Sequence, residues 1–260
     1  MTVPLHRTFA SEWFKGRRTV VGPLVVAGGL LVPAGLLLTR LRVPGTLPEL
    51  HANDVFWEVT WNQAWESIAV LLLPLGAIVL TALVTHHEHR WQGWKQLHAT
   101  PQHPLALYAA KFAVVMVRLL QSLVVLLVGI WAVGVLPALL LPTVAMPTAP
   151  FPVWPFLVRG LELLRDVLPL VAIQFALGIL VRNVVVVIGV GLAAWVAATV
   201  AIATRVAWAI PYAYAAMDHL DETGARTGPT PASLPVLAIS ITVGAFGLGA
   251  ALYASRRDRG

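Results

Sequence analysis

Six apolar runs alternate with polar connections along the chain, near Thr19–Thr39, Ser67–Thr85, Phe112–Leu136, Leu163–Val181, Val184–Thr204 and Leu234–Ala254. Each can cross a hydrocarbon core of about 30 Å as a helix of ~20 residues. The pattern predicts an all-α polytopic membrane protein, read as a single transmembrane domain over residues 1–260. The fourth run is the weakest, with Arg165 and Asp166 near one end.

Shorter amphipathic stretches fill the gaps. Leu5, Phe9 and Trp13 fall at i, i+4 and i+8, with Arg7, Thr8, Ser11, Lys15 and Arg18 opposite. That spacing predicts a helix lying in the membrane interface over residues 1–18, anchored by Trp13, Lys15, Arg17 and Arg18. Between the second and third spans, residues 86–104 form a polar island. There Trp91, Trp94, Leu97 and His98 share one arc of a helical wheel, and Glu88, Gln92, Lys95 and Gln96 the other. This helix is too short to span, so it lies along the surface, and Pro101 and Pro104 end it. Tyr108 and Lys111 are expected to anchor the start of span three at the interface.

On the opposite side, Trp57, Trp61 and Trp65 have four-residue spacing, which reads as an interfacial aromatic belt leading into span two. Leu136–Arg159 reads as an ordered, non-regular loop rich in proline. Within residues 205–233, Trp208–Met217 is apolar enough to dip back into the outer leaflet as a re-entrant segment, leaving Asp218, Asp221 and Glu222 to water. Spans one and six carry small residues, such as Gly28, Gly29, Gly244 and Gly247, which suit close helix contacts.

Composition supports lipid as the main solvent. The 260 residues are 58% hydrophobic and 12% charged, against roughly 25% charged in soluble domains; the mean hydropathy is +0.79. No cysteine is present, which excludes disulfides and thiolate chemistry. The pI near 10.3 does not signal nucleic acid, because the basic residues are spread over short loops. Met1–Arg18, His86–Lys111, Arg182–Asn183 and Ser255–Gly260 hold eleven Lys and Arg against Glu12, Glu88 and Asp258; the opposite loops hold six Arg and nine acids. The positive-inside rule therefore puts both termini and the 86–111 loop in the cytoplasm of a bacterial inner membrane protein. Arg17-Arg18 has the form of a twin-arginine export signal, but five further spans favour a retained first helix.

Catalytic motifs are missing. There is no G-x-x-x-x-G-K-[ST], so any ATP and Mg belong to a partner chain and no cofactor is expected in this one. The H-E-x-x-H pattern fails at Trp91, and His86, His87 and His89 do not converge well enough for a metal site to be expected. Arg118 and Gln121 in span three and Gln174 in span four are the polar residues placed to face a cavity or a neighbouring helix.

The stretch carrying Glu88, Trp94-Lys95, Pro101, Tyr108 and Lys111 resembles ABC-2 type permeases, closest to the bacitracin- and lantibiotic-immunity group. Leu168-Pro169, Gln174, Arg182-Asn183, Pro211-Tyr212 and the opening Glu12-Trp13 with Lys15 extend the resemblance over nearly the whole chain. It implies a non-catalytic six-span exporter subunit, paired with a second permease copy in a homodimer or paralogous heterodimer. It further implies a dimer of cytoplasmic ABC ATPases, met by a coupling helix at Glu88, Arg90, Trp91, Trp94, Lys95, Leu97 and Pro101. The cargo would be hydrophobic or amphiphilic: a peptide, an antibiotic or a lipid-like molecule. Two other readings remain at this stage, a metal-dependent membrane enzyme using the His cluster and a non-transporting anchor or sensor for an ATPase.

Overall fold

The computed structural model describes residues 5–16, 19–90, 104–204, 207–222, 236, 239–245 and 247. Every regular element among them is helical. The order is α1 (Leu5–Gly16), α2 (Val21–Arg42), α3 (Leu47–His51), α4 (Phe56–Ser67), a π-helical segment (Ile68–Leu72), α5 (Leu73–Arg90), α6 (Pro104–Leu140), α7 (Val153–Leu180), α8 (Val184–Ala201) and α9 (Tyr214–Glu222). Short 3-10 turns at Ala207–Ala209 and Pro211–Ala213 lead into α9.

Five helices among the described residues are long and apolar enough to cross a membrane: Val21–Arg42, Phe56–His86, Ala106–Leu140, Val153–Leu180 and Val184–Ala201. Most of the sixth expected span, Leu234–Ala254, lies outside the described residues; residues 239–245 within it are helical.

Three boundaries differ from the sequence pattern. The second span begins at Phe56, eleven residues before the expected Ser67, because α4 runs through the π segment into α5. The third begins at Pro104, whose missing N–H has no intrahelical partner to lose at a helix start. The fourth begins at Val153, ten residues early, again with prolines (Pro152, Pro155) where the first turn tolerates them. The proline-rich connection thus shrinks to residues 141–152.

The expected aromatic belt is also corrected. Trp57, Trp61 and Trp65 are 4%, 1% and 3% exposed. Trp61 stacks on Trp65 with ring centroids 4.3 Å apart and on Phe156 at 4.1 Å, while Trp57 meets Phe151 edge-on at 4.8 Å. The indole N–H of Trp57 donates to the Ala149 carbonyl at 2.8 Å. These rings pin the 141–152 connection to α4 rather than facing headgroups.

Proline explains the π segment. Pro74 has no N–H for the carbonyl of Val70, four residues back, and its ring crowds that carbonyl. The helix widens there, with the Leu73 N–H bonded to Ile68 instead. The freed Val70 carbonyl accepts a 3.0 Å bond from Trp195 Nε1 of α8. In lipid such a group has no water to turn to, so the bond fastens α8 to the second span.

Among the described residues, α2 and α6 share the most extensive helix contact. A Cβ on Gly29 would lie 2.6 Å from the Ser122 carbonyl oxygen, and one on Gly129 would lie 2.8 Å from Pro33. Only glycine permits that approach of two backbones.

Two predictions follow from these contacts. Trp195→Phe should destabilise the detergent-purified protein by about 1–3 kcal/mol, the cost of an unpaired buried carbonyl; Pro74→Ala, which returns an N–H to Val70, should recover part of that loss in thermal unfolding. The second concerns His51, whose Nδ1 is 2.8 Å from the Ala145 carbonyl and therefore carries the proton. Its Nε2 is buried without a hydrogen-bond partner. Burial first, and then the charge of Arg40, hold this imidazole below the ordinary histidine range against the opposing effect of the Ala145 bond. The unfolded chain then binds the proton more readily, so stability present above about pH 6.5 should fall on acidification. Hydrogen exchange across residues 141–152 should rise accordingly, and His51→Asn should flatten the profile.

Candidate functional site

The expected coupling stretch connects α5 to α6 along the chain. Glu88 and Arg90 belong to the last turn of α5, which continues past the expected end at Thr85. Trp91, Trp94, Lys95, Leu97 and Pro101 lie outside the described residues, as do Arg17 and Arg18. The start of α6 forms a joint with α1.

The helix α1 rests on α6 through polar groups. Thr8 and Glu12, one turn apart, are buried, and Phe9 and Trp13 are half-buried beside them. Glu12 receives Lys111 Nζ of α6 in a buried ion pair and Lys15 Nζ at 2.7 Å on its other oxygen. Lys111 is 1% exposed. It was expected to anchor in the headgroups, but its ammonium is turned into the protein because a carboxylate waits there. Tyr108, one turn before it, is buried as well. Of the expected anchors among the described residues, only Lys15 keeps an exposed side chain.

Two turns further along α6, the Arg118 guanidinium lies under the Trp13 ring, 3.9 Å from its centroid, and donates to Gln121 Oε1 at 2.9 Å. An Arg over an indole face is favourable, and more so away from water. Trp13 and Arg118 thus repeat, two turns further along α6, what Glu12 and Lys111 do. Two independent contacts hold α1 to the third span, so the pair can move as one body.

Behind Arg118 an apolar recess of about 360 Å³ opens among α2, the π segment and α5, α6 and α7. Arg118 and Ser122 are its polar lining residues.

Gln174 has a different setting. It is fully buried, donating Nε2 to the Val187 carbonyl of α8 at 2.8 Å and accepting Tyr212 Oη at 2.8 Å. One amide therefore joins α7, α8 and the 211–213 turn. Nearby, α9 packs against α7, where Asp166 is 0% exposed and held by Arg165 at 2.8 and 3.0 Å. Arg165 also lies 3.9 Å from Asp218 of α9.

Sequence reasoning missed two of these groups. Glu12 looked like part of a conserved-type opening motif, with nothing in its spacing to show that Lys111, ninety-nine positions away, is its partner. Asp166 looked like the edge of a span but sits inside a helix that starts ten residues earlier. Among the described residues no group of His, Asp or Glu is arranged to hold a metal ion.

The family model described as "ABC-2 family transporter protein" matches residues 8–206, from α1 to the end of the fifth membrane-crossing helix and just beyond. No curated protein and no solved structure gives a significant match. A match over most of the length, on a chain whose helices can cross a bilayer five times among the described residues, identifies a multi-pass membrane permease component: the protein belongs to the ABC-2 transporter family.

Proposed function

We propose that this chain is the membrane subunit of an ATP-driven exporter, moving a hydrophobic or amphiphilic cargo with ATP hydrolysed by a separate cytoplasmic ATPase. Within the family, Glu88, Trp94-Lys95, Pro101 and Arg182-Asn183 favour the bacitracin- and lantibiotic-immunity group. Two permease copies flank the path and meet two ATPases through residues 86–104. The distribution of Lys and Arg supports a bacterial inner membrane setting with both termini inside.

The observation that carries this reading is the double contact of α1 with α6, Glu12 to Lys111 and Trp13 to Arg118. Their α6 partners, Lys111 and Arg118, follow the 86–104 stretch in the chain. A partner that pushes on that stretch displaces the start of α6, and α1 must follow. Nucleotide drives transport only if it favours one arrangement of this unit over another. The segment after the fifth span, tied to Gln174 through Tyr212, supports the reading of residues 205–233 as a re-entrant outer hairpin that closes the far end.

Copurification is the direct test: an ATPase carrying a P-loop should come down with this chain in equal copies. Glu88→Lys should weaken that association and abolish transport; unchanged assembly and transport would remove residues 86–104 from the mechanism. Glu12→Gln should leave the ATPase bound while lowering cargo moved per ATP by roughly tenfold, a coupling free energy of about 1.4 kcal/mol. Transport in proteoliposomes, measured beside ATP turnover, separates the two effects.

A further inference from the structure

Three carboxyl groups act on one arginine where α9 meets α7. Asp166 of α7 is fully buried and takes two bonds from Arg165, at 2.8 and 3.0 Å. Asp218 of α9 lies 3.9 Å from the same guanidinium and is a second side-chain hydrogen-bond partner of Asp166. Glu162, one turn earlier on α7, acts on Arg165 through its charge. The helices α5, α6 and α8 and the 211–213 turn also pack against α7. Among the described residues they bring no further charged group to Asp166 or Arg165.

An ionised carboxylate can only accept. Asp166 and Asp218 are hydrogen-bond partners of one another only if one carries a proton that the other accepts. Two ionised carboxylates in contact beside a single arginine repel, and the burial of Asp166 makes that repulsion costly. Arg165 and Asp218 are partly exposed, so solvent protons reach the pair. The start of α9 does not need this contact: Tyr212 to Met217 are buried, with Tyr212 bonded to Gln174 and Tyr214 to the Trp208 carbonyl. From Asp218 onward the helix leaves that packing, with Asp218 and Leu220 half-buried. We infer that Asp166 and Asp218 share one proton, and that this proton latches the end of α9 onto α7. When the proton leaves to solvent, the two carboxylates push apart. A nine-residue helix is not stable without packing, so the end of α9 unwinds while its buried start stays. The latch goes beyond the export reading and stands without it: it would operate in a chain that moved no cargo.

Hydrogen exchange on the full chain in detergent, expressed as protection factors, reads the latch. The closed arrangement binds the extra proton, so its protection is present at lower pH and lost as pH rises. Protection of residues 218–222 should fall by roughly tenfold between about pH 5 and about pH 9, the linkage effect of a single proton. That direction is opposite to the one expected for His51. Asp218→Asn puts an amide N–H where the proton was, which Asp166 accepts at any pH, so protection should stay high and flat. Asp218→Ala removes the partner, so protection should stay low and flat. Both substitutions fall at a partly exposed position and leave the Asp166–Arg165 bonds in place, so both should fold. The infrared carbonyl band of a protonated carboxyl gives a second readout: it should be present in the parent near neutral pH and lost in Asp218→Asn. Protection independent of pH in the parent overturns the proposal, as does a pH response that survives in Asp218→Asn. A carboxyl band unchanged by Asp218→Asn overturns the shared proton. A band that disappears with no change in protection overturns the latch.

Discussion

A polar group in hydrocarbon has no water to fall back on, and the bundle is arranged so that its buried polar groups find one another. The Val70 carbonyl, released by Pro74, takes the indole of Trp195. Gln174 takes the Val187 carbonyl and the Tyr212 hydroxyl. Arg40 takes the Thr60 hydroxyl at 2.7 Å and the face of Phe56. Glu12 takes Lys111. Each bond crosses between separate elements of the chain. Apolar packing against lipid-like neighbours supplies little preference for one helix arrangement over another, so these bonds and the glycine contacts decide which helices meet.

The two ends of the bundle use this rule differently. At one end the polar bonds are charged and bring α1 onto α6, next to the stretch expected to meet an ATPase. A buried pair of this sort does not need to add net stability; its value is that removing one partner is costly, so the arrangement is unique. At the other end an aromatic cluster stands beside the bond of Arg40 to Thr60. Trp57, Trp61, Trp65, Phe151 and Phe156 clamp the short 141–152 connection over the second span. A rigid far end and an ion-paired near end suit a protein that receives force on one side of the membrane.

The recess between α2, α5, α6 and α7 follows from the same geometry. The Gly29 and Gly129 contacts hold α2 against α6, while Gly76 and Gly28 leave space toward the second span. Arg118 can be kept charged at that depth because Trp13 covers it and Gln121 accepts from it. The helix α1 is thus both the cover of Arg118 and the partner of Lys111.

The class of protein was legible along the chain. Long apolar runs with polar joints need only a bilayer thickness and a helical rise to be read as spans, and the surface helix at the start follows from a spacing of four. Boundaries were less legible, because Pro104, expected to end the preceding surface helix, and Pro155, expected in a non-regular loop, lie in the first turns of helices, and α4 continues into a span through a π segment set by Pro74, whose freed carbonyl is taken by Trp195. Hydropathy alone likewise predicted a belt for Trp57, Trp61 and Trp65, since an indole beside a membrane end is equally suited to an interface and to a buried stack. Only the tertiary structure decided that these rings face Phe151 and Phe156, that Lys111 turns inward, and that Glu12 is its counterion. Periodicity is a property of neighbours three or four residues apart, whereas an ion pair ninety-nine residues apart exists only once two helices have been laid side by side.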